Sequence, residues 1–307
     1  MNNTSDLRYF CYCLVRKYGS PDKASEEQKA NEFRQYYLRD LPPTVKAIRA
    51  VAASCGIKLD SSDKMPANLR GFNQVVNGTN NIVVRDDDTV SGTQNTILHE
   101  IREIMEGIFP NLCRDYKPLK TNAKHYAANK FATAVLLPEE SFTRKLYETG
   151  FDVIELANFY EKSCSQVLLR IGEVLQGKLF FYGALYEPHS EDARWQVTYW
   201  TGSGNDEDPE ANVYGLDGFF PRKGREVILG SLVDVTIKSR QPYLAEQVTL
   251  IDDAEDEGLV AIAQPLLIHE APIKVALIVL LSRNKNLLEK QILRIRPAII
   301  NGFHGHL

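Results

Sequence analysis

No stretch of the sequence stays apolar for the roughly 18 residues that a membrane-spanning helix needs. A cationic excess is missing too. The chain has 36 Lys and Arg against 40 Asp and Glu, a net charge of −4, so it lacks the electrostatic footprint of a nucleic-acid binder. The first six residues, Met1 to Asp6, have neither the basic flank nor the apolar core of a secretion signal. Cysteine is sparse and unpatterned: Cys11, Cys13, Cys55, Cys113 and Cys164 are odd in number and scattered. Cys11-Tyr12-Cys13 is too tight for a two-cysteine zinc knuckle, and no second pair follows it. These features predict free thiols in a reducing compartment, and a cytoplasmic location. Histidine is also scarce, six in 307 residues, so one that falls at a motif position carries weight.

What is present is the composition of a soluble globular protein, 44% apolar and 25% charged, long enough for two domains. Residues 7–56 predict helices, interrupted by Leu41-Pro42-Pro43 and ended by Gly56. Ile57-Lys58-Leu59 and Ile82-Val83-Val84-Arg85 predict strands, with residues 60–79 as a connecting loop. A second loop, 86–94, leads to a helix of about three turns capped by Asn95 or Thr96 and stopped by Gly107 and Pro110. Another helix is expected from about Asn122 to Leu137. Residues 154–172 form an amphipathic pair in which a serine of Glu161-Lys162-Ser163-Cys164-Ser165 caps the second helix. This pair has the outline of a helix-turn-helix but carries no basic patch, so direct DNA binding is not expected.

Past Gly177 the character changes to aromatic and β-branched runs at 179–182, 195–200 and 276–281. An acidic loop is expected at 202–210. A hairpin with a four-residue turn at 269–272, a terminal helix over 287–300 and a frayed tail at 303–307 complete the reading. The expected organisation is an N-terminal helical extension (1–40), a central domain (41–150), the helical pair (151–177) and an α+β domain (178–307).

The chemistry concentrates in Thr96-Ile97-Leu98-His99-Glu100-Ile101-Arg102-Glu103. On a helix, His99 and Glu103 lie on one face a turn apart, so their donor atoms converge. Glu100 is offset by about 100°, where an HExxH zinc-peptidase helix carries its general base. Here the motif reads HExxE. His125, 22 residues beyond Glu103, completes a His2Glu ligand set if the two helices pack antiparallel, leaving a fourth position for water or substrate. Glu106, a turn further on, reads as a solvated side chain, the alternative being a group that supports the ligands.

With Ala128-Asn129-Lys130-Phe131-Ala132 and Leu136-Leu137-Pro138, this stretch resembles the ImmA/IrrE zinc metallopeptidases over about residues 40–176. Their pattern is a T-x-x-HExxH helix followed by E-x-x-A-N-x-F-A-x-x-L-L-x-P. In that register Glu103 stands where the family has its second His, and His125 where it has its ligand Glu. The two departures cancel. The resemblance implies a Zn2+ site of His99, Glu103 and His125, with Glu100 as general base and Asn129 holding its helix in place. It also implies a helix-turn-helix (XRE-type) transcriptional repressor as substrate, cleaved to switch on a stress or mobile-element response. Residues 178–307 resemble the GAF fold, which implies a small-ligand site there. The expected fold class is therefore α+β: a mainly helical zincin-like domain with a small sheet and a helix-turn-helix-like pair, then a GAF-like domain. The strand at 82–85 is expected to take up an extended substrate by strand addition. The competing expectation is a non-catalytic scaffold with a ligand sensor and a peptidase-shaped partner-binding module.

Overall fold

The computed structural model of the protein describes residues 6–39, 41–66, 69–203, 221–251 and 255–301. Contacts divide it into two units, Met1–Glu139 and Glu140–Leu307. The first unit opens with α1 (Asp6–Tyr18) and α2 (Glu26–Phe33), the latter started by a capping box of Ser25 and Gln28. A π-turn, Arg34–Leu38, extends α2 before the Pro pair breaks the chain. Next come α3 (Val45–Ser54), capped by Thr44, and three strands, β1 (Lys58–Ser62), β2 (Gly71–Val76) and β3 (Thr79–Arg85). The sheet order is β1-β3-β2, with β1 parallel and β2 antiparallel to β3.

Two sequence expectations change here. The loop expected at 60–79 contains β2, joined to β3 by Asn77-Gly78 with φ of 50° and 76°, as a tight hairpin turn demands. β3, expected to receive a substrate strand, is central, so its hydrogen-bonding edges are already used by β1 and β2.

The following helix, α4 (Val90–Ile108), is 19 residues long and begins at the cap Thr89, whose hydroxyl takes the Gly92 N–H at 3.0 Å. The expected caps Asn95 and Thr96 lie inside it. Ser91, Gly92 and Thr93 are poor helix formers, but tertiary contacts override that preference. Gly92 abuts the Asp88 carboxylate, where a Cβ would sit 2.2 Å from Oδ1, and buried Gln94 donates to Pro43 O at 2.8 Å. Helix α5 (Thr121–Leu136) matches its expected span closely.

A buried charge network joins α4 to its neighbours. Arg102, 1% exposed, makes a bidentate pair with Glu26 of α2 (2.7 and 2.8 Å) and reaches Glu106 at 2.8 Å. Glu106, expected in solvent, is buried. It accepts from Tyr116 Oη at 2.6 Å and from Leu119 N at 2.8 Å, so it fixes the crossover between α4 and α5. Buried Lys29 completes the set on Glu26 at 2.7 Å. Burial works against each of these charges; it prevails at Lys29, whose pKa it lowers, but the hydrogen bonds and opposite charges outweigh it at the other three. They raise the Arg102 pKa and hold Glu26 and Glu106 below the usual carboxylate range.

In the second unit, α6 (Glu139–Thr149), α7 (Val153–Tyr160) and α8 (Cys164–Leu175) precede a six-stranded sheet. Its strands are β4 (Phe181–Pro188), β5 (Trp195–Ser203), β6 (Tyr243–Ile251), β7 (Glu255–Ile268), β8 (Ala271–Leu281) and β9 (Ala298–Asn301), in the order β5-β4-β8-β7-β6-β9. All pairings are antiparallel except β6 with β9. Helix α9 (Leu232–Ser239) precedes β6 and α10 (Glu289–Ile295) precedes β9. Ser163 caps α8 in a capping box with Gln166. Helix α8 lies close on β4 and β5: a Cβ at Gly172 would be 2.6 Å from Thr201 Oγ1, and one at Gly183 would be 2.7 Å from Leu168 Cδ2. Asp152 caps α7 and pairs with Arg294 of α10. These contacts place α6–α8 with the sheet, so the division falls at Glu139/Glu140, ahead of the composition change near Gly177.

The β7–β8 hairpin turns through two residues, His269 and Glu270, both at positive φ, rather than four. The expected terminal helix stops at Ile295, since Arg296 takes a left-handed conformation and Pro297 follows. The acidic loop past Ser203 and the tail 303–307 lie outside the described residues. All five cysteines are free thiols. Among the described residues no helix is long and apolar enough to cross a membrane.

The network yields a stability prediction. Arg102→Met leaves buried Glu106 and half-buried Glu26 with Lys29 as the remaining cation of the set, and breaking a buried pair costs about 3–5 kcal/mol. The thermal midpoint should fall clearly, and Arg102→Lys should not restore it, because an ammonium lacks the planar fork. An unchanged midpoint in the Met variant would show that the network adds nothing to folding.

Candidate metal centre

Helix α4 is the spine of the site, and α5 runs antiparallel along it. From the C-terminal end of α4 backwards, Glu106 meets Tyr116 and Leu119, Glu103 meets Lys124 and His125, and His99 meets Asn129. The antiparallel pairing that the His99, Glu103 and His125 set requires is therefore present. On another face, β2 follows α4: a Cβ at Gly71 would lie 2.4 Å from Thr96 Cγ2, and two residues on Asn73 reaches Glu100. Two strand residues advance about as far as four helical ones, so strand and helix stay in step.

The three predicted ligands converge. His125 Nδ1 is 2.6 Å from Glu103 Oε1 and 3.3 Å from His99 Nε2, and His99 Nε2 is 3.2 Å from Glu103 Oε1. Around a tetrahedral zinc with bonds near 2.0 Å, ligand atoms lie about 3.3 Å apart. The donor set, two imidazole nitrogens and one carboxylate oxygen, fits such an ion. It is the one cluster of at least three possible metal-holding side chains among the described residues.

Neighbouring groups orient the donors. Asn129 Oδ1, an acceptor, lies 2.9 Å from His99 Nδ1, which places the proton there and turns the Nε2 lone pair towards the other two donors. Asn129 was expected to hold its helix in place; it contacts the His99 ring directly. Lys124 Nζ is 2.8 Å from the other carboxylate oxygen of Glu103, Oε2. Burial works to raise the Glu103 carboxyl, but Lys124 and the two imidazoles outweigh it and hold the group below the usual range.

Glu100 does not join the three converging side chains, as its offset on the helix predicts. It is 7% exposed, and its Oε2 accepts from Asn73 Nδ2 at 2.5 Å. Burial pushes its carboxyl up, against the opposing pull of the Asn73 hydrogen bond and of His99. Asn73 and Lys124 are the site residues that the sequence reading missed. Asn73 sits in the stretch read as a loop, though the Asn77-Gly78 turn signal marked a hairpin. A lone lysine before a histidine carries no recognisable signature.

The Asn129 contact is testable. Asn129→Leu removes the acceptor for His99 Nδ1, and loss of such a partner typically costs 10- to 100-fold in metal affinity. Competition with a chelator measures this, and affinity equal to wild type would show that the contact does not orient His99.

No curated protein matches the chain. Among solved structures, a Mycobacterium tuberculosis transcriptional regulator has a similar fold. It aligns with a TM-score of 0.55 at 12% identity, over 96% of this chain and 88% of that one. At that identity the likeness is one of fold alone. The family comparison concerns the site itself: residues 52–172, from within α3 to within α8 and including both helices of the triangle, match the model of the IrrE N-terminal-like domain, Peptidase_M78.

Proposed function

We propose that the protein is a zinc-dependent endopeptidase of the ImmA/IrrE kind that cleaves a helix-turn-helix transcriptional repressor. The observation that carries this reading is the convergence of His99, Glu103 and His125 beside a buried carboxylate, Glu100, within a segment similar to a metallopeptidase family. The transcriptional-regulator title of the fold neighbour accords with a role in gene control.

His99 Nε2, His125 Nδ1 and Glu103 Oε1 would hold the ion. When bound, zinc supplies Lewis acidity that lowers the pKa of a coordinated water to about 7. Glu100 takes the proton of the attacking water and returns it to the leaving amine. Asn73, bonded to one Glu100 oxygen, leaves the other available for that transfer. An extended peptide adds to β2, the edge strand, where Val75 and Val76 are exposed, rather than to the enclosed β3. The mixed sheet of the second unit supports the GAF-like reading of residues 178–307, and with it a sensory role for that part of the chain.

Glu100→Gln should abolish cleavage of the repressor while metal content, by elemental analysis, stays at the wild-type level. Loss of general acid–base help typically costs 10²- to 10⁴-fold. Full activity, or loss of the metal, would remove Glu100 from its role. A wild-type protein that retains no stoichiometric metal would favour a non-catalytic partner-binding scaffold.

The exchanged ligand types make a second test. Glu103→His gives three imidazoles and His125→Glu gives two carboxylates with one imidazole, whereas the double variant restores two imidazoles and one carboxylate. Ligands of one ion should be non-additive by on the order of 0.5–3 kcal/mol in a double-mutant cycle of zinc affinity. Strict additivity would mean that Glu103 and His125 do not share an ion.

A further inference from the structure

Helix α5 meets the Glu103 carboxylate with two consecutive side chains, one on each oxygen. His125 Nδ1 lies 2.6 Å from Oε1, the oxygen that also faces His99 Nε2 at 3.2 Å. Lys124 Nζ lies 2.8 Å from Oε2. The Glu103 side chain is 8% exposed and that of Lys124 32%, so this ion pair is partly shielded from water and less weakened than a surface pair. The carboxylate is thus held in one orientation, with Oε1 turned to the imidazoles and Oε2 turned away from them.

That orientation bears on coordination number. A carboxylate can bind an ion through one oxygen or through both. Two imidazoles and one carboxylate oxygen leave a fourth tetrahedral position for water or substrate, which a hydrolytic site requires. If Oε2 swung in beside Oε1, it would raise the coordination number to five and crowd that position. We propose that Lys124 is a positioning residue that engages Oε2 and so keeps Glu103 a one-oxygen ligand, leaving the fourth position open. This rests on the reading of His99, Glu103 and His125 as a metal site. The lysine charge also repels a bound cation, so the clamp works at some expense of metal affinity.

Cobalt(II) tests this without any substrate. In four-coordinate tetrahedral surroundings cobalt(II) absorbs visible light much more strongly than with five or six ligands, so its spectrum reports coordination number. The full-length protein, Lys124→Met, Lys124→Arg and His125→Ala are each loaded with cobalt, and their visible spectra and affinities against a chelator are compared. Wild type should give the intense four-coordinate bands. Lys124→Met should lose several-fold in band intensity while binding cobalt at least as tightly, and Lys124→Arg should restore the bands. Circular dichroism checks folding, and Lys124→Ala serves in place of the Met variant if that one packs badly. Wild-type intensity in a folded, cobalt-bound Lys124→Met protein overturns the proposal. So does loss of cobalt from that variant, because the clamp sets how Glu103 binds and not whether the ion stays. Failure of wild type to take up cobalt, or full retention by His125→Ala with an unchanged spectrum, instead overturns the metal-site reading and the clamp with it.

Discussion

The antiparallel packing of α5 on α4 is the constraint on which the site depends. Side chains three and four residues apart on a helix share a face, so the series His99, Glu103 and Glu106 forms one stripe. The second helix and the crossover before it meet that stripe in reverse order: Asn129, then His125 and Lys124 on α5, then Leu119 and Tyr116 in the crossover. Each polar group on the stripe thereby finds a partner. A one-residue shift of α5 would turn its side chains by about 100°, removing His125 from the triangle and Asn129 from His99.

Around that seam the charges divide into two sets. Arg102, Glu26, Glu106 and Lys29 are closed on one another, with short hydrogen bonds and little exposure, and they tie α2 and the crossover to α4. Burying such a set gains little net stability over apolar packing, but a missing member is costly. Such groups specify a single arrangement of the helices. The second set, His99, Glu103 and His125, is partly open, and its donors face one another instead of being enclosed by backbone partners. A rigid closed set beside an open convergent one is the division expected of a scaffold and the site it supports.

Much of this was legible because it is local. The spacing of His99, Glu100 and Glu103 fixes their relative directions on any helix, and the span of α5 followed from composition and Pro138. The Ser163 cap of α8 was likewise written in adjacent residues. What escaped was set by distant partners. Arg102 stands among charged residues and reads as solvated, yet its main partner, Glu26, lies 76 residues earlier. The start of α4 was hidden because Ser91, Gly92 and Thr93 argue against a helix until Pro43, 51 residues before Gln94, is known to accept from it. Strand β2 is an exception, since the Asn77-Gly78 turn that pairs it with β3 lies beside it in the sequence. The convergence of His99, Glu103 and His125 was readable from their spacing on two antiparallel helices; the contacts of Asn73 and Lys124 were not.

One consequence follows from where α5 begins. The helix starts at Thr121, so Lys124 and His125 lie in its first turns, and the preceding Leu119 N–H already points at Glu106. The positive end of its macrodipole, equivalent to roughly half a unit charge, thus lies beside Glu103 and Glu106. It stabilises those carboxylates but opposes any cation seated among the three donors. Under the proposed function, that field would favour negative charge beside a bound ion, such as a hydroxide, over the ion itself. A cation held there would be bound less tenaciously, and exchanged more readily, than its three donors alone would allow.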